Sequence, residues 1–237
     1  MSNSDITDTT GSAAQGRADR LGGRLPLLAP SGLDDEQRQV YDALTHTVVP
    51  EAAESGFTAR LDDGRFVGPF NALLRAPKIA TGMGQWTSQI ARAGLAADVR
   101  QVVILTVGAA WSAAYEIDAH TSAARAVGVP DAAIEAIVQR RPPRGLSEQA
   151  DVAHRLTTSL VVDHVVPDGL YREATAAFGV AEVVAILSLV GQYQTICSIL
   201  VCFQVPVPEL ADAPPEARSP DRAGGHPQGV SNHGATS

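Results

Sequence analysis

Between Val180 and Val205 the chain runs for 26 residues with a single charge, Glu182. A run of that length and apolarity is either a membrane span or a helix enclosed by protein. Its middle carries Gln192, Tyr193, Gln194, Thr195 and Ser198, and neither flank carries anchoring Lys or Arg. The expectation is therefore a buried helix and no membrane. Because it is apolar on every face, it calls for cover from other copies as well as from its own chain, which points to a homo-oligomer. Cys197 and Cys202 fall inside it as small core residues. Five positions apart, they face different sides of a helix and do not suit a redox pair.

The rest of the chain sorts around that run. Residues 1–24 are rich in Ser, Thr, Asp and Gly and have no apolar core, so they read as a disordered leader rather than an export signal. Residues 25–208 form one domain, and 209–237, rich in Pro, Gly, Ala and Asp, read as a disordered tail. Eighteen Lys plus Arg against 26 Asp plus Glu give a formal charge of −8, with Lys78 the one lysine. That balance excludes a broad nucleic-acid surface. Two cysteines do not make a disulfide scaffold, and they fit a reducing cytoplasm.

The chemistry gathers between Arg100 and Pro130. Glu116 and His120 are four residues apart in an Ala-rich, proline-free run, so on a helix they differ by roughly 40° and share a face. The run from Val102 to Trp111 ahead of them is almost uncharged, which places the pair where water is scarce. There a carboxylate is retained only with a partner or a task. Gly108 and Ser112 allow one long helix or two stacked pieces between Asp98 and Val127, with Gly128 as the stop. Ser112, one turn before Glu116, is within reach of it or of a substrate. It lacks the Gly-x-Ser-x-Gly setting of a nucleophile.

Other segments follow from local signals. Asp34 to Glu36 start a helix reaching about Val48. Asp62-Asp63-Gly64 is a tight turn between two short extended pieces that either cover a pocket or form a plain loop. Asn71 either caps the short turn after Pro69 or reaches a ligand. Pro77 opens a helix whose Ile79, Met83, Trp86, Ile90 and Ala93 form a core-facing stripe, with Trp86 either packing or lining a pocket. Helices are also expected over 130–140 and from Ser147 through Val162. Arg140, Arg141 and Arg144 are the densest positive patch, and His154 and His164 read as structural. No spacing of His, Cys or carboxylates forms a metal site, and no cofactor is expected. Ile186-Leu187-Ser188-Leu189 echoes Ile104-Leu105-Thr106-Val107, suggesting two weakly similar helical halves.

The order Arg-x-Val-Val-Ile-Leu-Thr-Val-Gly from Arg100, then Tyr115, Glu116 and His120 as Tyr-Glu-x-x-x-His, then Ala124, Gly128, Val129 and Pro130, resembles the carboxymuconolactone decarboxylase family. It also resembles the family's relative, the alkylhydroperoxidase D family. The stretch from Gly68 to Pro77 resembles the family's lead-in, and the likeness covers 25–208. This resemblance implies an all-α, alkylhydroperoxidase D-like fold, trimers or hexamers, and a pocket beside the Glu and His helix. Two departures stand out. The peroxidase branch's Cys-x-x-Cys falls on Ala113 and Glu116, so its thiol chemistry has no residues here. Gln101 stands where both branches carry a glutamate, which removes one proton-transfer group. The expectation is a cofactor-independent acid–base enzyme of decarboxylase, lyase or isomerase type, acting on a small oxygenated anion. His120 and Glu116 are its catalytic pair, and Gln101, Ser112, Tyr115, Asn71 and Trp86 are its candidate substrate contacts. A thiol-dependent peroxidase relative and a non-catalytic binding or assembly protein are the alternatives.

Overall fold

Val99, Val102, Val103, Ile104, Leu105 and Val107 leave almost no gap between buried positions, so the helix that carries them is surrounded on all sides. The computed structural model describes residues 20–208. The expected tail, and the expected leader apart from residues 20–24, lie outside the described residues. Within them the elements are α1 (Asp35–Ser55), α2 (Pro69–Leu73), α3 (Pro77–Ala91), α4 (Ala97–Trp111), α5 (Ala114–Ala126), α6 (Asp131–Val138), α7 (Glu148–Thr158) and α8 (Asp168–Phe203), with no strand. The fold is all-α, as expected. The buried helix α4 packs against α5, α6, α7 and α8.

The domain reaches back past residue 25. Leu21 is buried in the core, and the Arg24 backbone N–H donates to the Phe203 carbonyl, tying the entry of the chain to the end of α8. Helix α1 begins at a capping box: Asp34 Oδ1 accepts from Gln37 N at 2.8 Å, and Gln37 Oε1 accepts from Asp34 N at 3.1 Å. It continues past Val48 and through Pro50 to Gly56, which takes the left-handed conformation at φ 75°. The turn expected at 62–64 is present. Arg60 and Phe66 form an antiparallel bridge, and Asp63 accepts from both the Arg65 backbone N–H and its guanidinium.

The stripe on α3 is only partly a core face. Ile90 is buried, but Ile79 is 63% and Trp86 41% exposed. The next region resolves into two helices. Ser112 adopts φ 52°, ψ 37°, and Ala113 N–H donates to the Gly108 carbonyl, so α4 closes before α5 starts. Helix α8 holds the long apolar run and is interrupted at Gly179 (φ 74°, ψ 164°), immediately before the chain's most hydrophobic stretch. By length and composition this one helix among the described residues is apolar enough to cross a membrane, and 39% of its apolar window is buried. Val180, Val184 and Leu187 lie on one exposed face of it, and Cys202, expected in the core, is exposed. The Ile104 and Ile186 echoes lie on α4 and α8, which pack on each other, so the two similar pieces share one core.

Candidate functional site

Glu116 is the third residue of α5, where unpaired backbone N–H groups and the helix dipole favour a carboxylate. Gly108 in the last part of α4 faces it: a Cβ there would lie 3.4 Å from Glu116 Cγ, in ordinary contact. The side chain is 4% exposed, and His120, one turn on, is 15% exposed. His120 Nε2 lies 2.9 Å from Glu116 Oε1. The contact is off the line of the ring N–H, so Oε1 has no aligned hydrogen-bond donor among the described residues. On its other side, His120 Nδ1 lies 2.8 Å from Oε1 of Gln101, which is buried on α4.

Gln101 therefore has a definite task. With Nδ1–H donating to its amide oxygen, the ring's tautomer is fixed, and Nε2 is the nitrogen left to exchange a proton with Glu116. Tautomer control thus falls to Gln101 rather than to Glu116. The carboxylate and Nε2 then face one another as a two-ended proton site with an unsatisfied oxygen lone pair.

Tyr193 and Cys197, a turn apart on α8, complete the surroundings. The Tyr193 ring meets His120 edge to face, with centroids 5.3 Å apart and planes at 88°. By exposed area Tyr193 is half-buried. That burial, then the charges of Glu116 and Glu51, hold the phenol well above its usual 10, with Arg100 pulling the other way. Cys197 is fully buried. Burial first and Glu116 second raise its thiol far above neutrality, so it is a thiol and not a thiolate. Neither residue was singled out for the site from sequence.

The other expected contacts are committed elsewhere. Asn71 is buried, its Oδ1 accepting from Leu28 N at 3.0 Å and its Nδ2 donating to the Leu25 and Pro26 carbonyls. It pins the entry segment of the chain rather than capping α2, whose N-cap is Gly68, or reaching a ligand. Ser112 is exposed and its Oγ accepts from Arg140 Nη2 at 2.8 Å, so it does not serve Glu116. The Tyr115 hydroxyl donates to the Thr58 carbonyl at 2.7 Å, fastening the 57–68 loop to α5. Trp86 packs near Gly191 on α8. Gly191 and Tyr193 are two residues apart, roughly 200° around the helix, so Trp86 is on the side away from His120.

A surface groove of about 720 Å³ runs between α1 and the 57–64 turn, lined by residues such as Tyr41, Ala52, Thr58, Arg60 and Asp62. It includes none of Gln101, Glu116, His120 and Tyr193. Among the described residues no three His, Cys, Asp or Glu side chains gather as a metal-binding group. His154 is satisfied inside the fold, its Nδ1 2.9 Å from Thr106 Oγ1 across α4 and α7.

Comparison with known proteins agrees with this architecture. The carboxymuconolactone decarboxylase family matches residues 77–158, from the start of α3 to the end of α7. No curated protein matches the chain. Among solved structures, the chain is similar to the debrominase Bmp8, crystallised as a cysteine-to-alanine variant in complex with 2,3,4-tribromopyrrole. The TM-score is 0.57 at 11% identity, covering 73% of this chain and 91% of that one, a likeness of fold. Residues 77–158, with Gln101, Glu116 and His120 among them, are the part of the chain that is similar to the carboxymuconolactone decarboxylase family.

Proposed function

We propose that the protein is an acid–base enzyme of decarboxylase, lyase or isomerase type, acting on a small oxygenated anion. The observation that carries this reading is the buried Glu116 Oε1, 2.9 Å from His120 Nε2 and without an aligned donor, while Gln101 fixes the opposite nitrogen. Loss of CO₂ beside a carbonyl, lactone rearrangement and elimination each develop enolate charge and end in protonation at carbon. The His120–Glu116 pair moves that proton, and Gln101 presents the ring. These side chains supply the chemistry themselves, so the reading calls on no cofactor. Thiol-dependent reduction is disfavoured. Ala113 and Glu116 occupy the thiol positions, and the buried Cys197 is held protonated. The protein would work in the cytoplasm as a homo-oligomer, a trimer or hexamer, with the exposed apolar side of α8 covered by other copies.

The test is a panel of small β-keto and lactone acids, followed for CO₂ release and, in D₂O, for deuterium incorporation at carbon by NMR. With any compound turned over, His120→Gln should lower kcat about 10²- to 10⁴-fold while far-UV CD and oligomer mass stay as in the wild type. Full turnover by a folded His120→Gln protein refutes the assignment.

A further inference from the structure

The described part of the chain holds four tyrosines, and their hydroxyls are used differently. Tyr41 donates to the Gly64 carbonyl at 3.0 Å and Tyr115 to the Thr58 carbonyl at 2.7 Å. Tyr171 is 52% exposed and meets water. Tyr193 is the exception: its ring is packed against His120, and its hydroxyl bonds to none of the described residues. A hydroxyl with no protein partner beside an imidazole is a donor open to a ligand. The same argument applies to Glu116 Oε1, buried and without an aligned donor a short distance away. One free donor and one free acceptor thus flank the same imidazole.

We propose that Tyr193 is a further catalytic residue, whose phenol donates a hydrogen bond to the substrate oxygen that becomes the enolate. This deepens the acid–base reading of Glu116 and His120 and rests on it. In a decarboxylation, the electron pair of the breaking C–CO₂ bond passes into the adjacent carbonyl and places negative charge on its oxygen. That oxygen accepts from the Tyr193 O–H, and the carbon takes one proton from the His120–Glu116 pair, replenished from solvent. The phenol keeps its proton throughout, as suits a hydroxyl held well above its usual range by burial and by Glu116. Such a donor is worth most where water is excluded. The charge of Arg100 acts on the same phenol in the opposite sense to that of Glu116.

The probe is 4-nitrophenolate, an oxyanion whose colour reports its protonation state. Wild-type protein should bind it as the anion. Tyr193→Phe, which keeps the ring against His120, should bind it about 10- to 100-fold more weakly, the worth of a hydrogen bond to a charged group. Tyr171→Phe should bind it as the wild type does. If Tyr193→Phe melts far below the wild type, titrating the bound probe on the wild-type protein reads the same contact. An O–H donor lowers the probe's pKa, whereas the neighbouring Glu116 alone raises it. Equal affinity of a folded Tyr193→Phe, a raised probe pKa, or no binding to the wild type at millimolar probe overturns the proposal. The two readings fail separately. Loss of turnover in His120→Gln with unchanged probe affinity in Tyr193→Phe removes only Tyr193. Full turnover in His120→Gln removes the pair, whatever the probe does.

Discussion

Gly68→Ala tests whether the 57–68 loop holds α5 in place. Gly68 has φ 65° and ψ −148°, a region open in practice only to glycine, and occupying it with a side chain costs about 1–3 kcal/mol. A Cβ there would also lie 2.4 Å from Tyr115 Cζ, 2.5 Å from its hydroxyl oxygen and 2.7 Å from Cε1. The ring cannot swing away cheaply, because it is 4% exposed and its hydroxyl is bonded to the Thr58 carbonyl. Overpacking adds about 1–3 kcal/mol, and a broken hydrogen bond about 1. Since relieving the clash also relieves part of the strain, the expected loss is about 3–5 kcal/mol. Urea unfolding at fixed protein concentration, on wild type, Gly68→Ala, Tyr115→Ala and the double variant, isolates the clash. With Tyr115 reduced to Ala the steric part vanishes, and Gly68→Ala should then cost only the backbone strain of about 1–3 kcal/mol. A Gly68→Ala cost below about 1 kcal/mol, or the same cost in both backgrounds, refutes the reasoning.

Burial, ahead of the opposing charges of Asp151 and Arg155, holds His154 below its ordinary 6.5 in the folded protein. The unfolded chain binds that proton more readily, so its contribution is complete above about pH 6.5 and is lost as the pH falls below it. Urea midpoints of wild type should drop over this window more steeply than those of His154→Leu, and equal slopes would show that the Thr106 contact is not pH-sensitive. On α8, Val180, Val184 and Leu187 form an exposed apolar row. If another copy covers it, Val184→Asp should lower the mass measured by light scattering, and an unchanged oligomer would clear that face of any role in assembly.

Signals carried within a few residues were legible in the sequence. The acidic start of α1 at Asp34 to Glu36, the Asp62–Gly64 turn, the choice of one helix or two around Ser112 and the shared face of Glu116 and His120 all depend on neighbours close in the chain. What was not legible depends on how helices cross. Periodicity placed Ile79 and Trp86 on one face of α3 but could not say that this face is left open in the chain. Asn71 looked like a cap because its partners, Leu25, Pro26 and Leu28, are more than forty residues away. Gln101 read as a lost glutamate. Its task with His120, 19 residues on, exists because the left-handed turn at Ser112 folds α5 back on α4.

For Tyr193 a signal was available, and it answered a different question. Polar residues inside the apolar run of α8 argued against a membrane, but a polar side chain in a packed helix must also find a partner. Gln192 finds Thr87 Oγ1 on α3 at 2.9 Å. Tyr193, the next residue, turns roughly 100° away and meets His120 instead. Adjacent polar residues thus point to two different neighbours of α8, one a structural tie and the other an uncommitted donor beside the proton-carrying pair. Position in the run cannot tell these apart. The helix each one faces can.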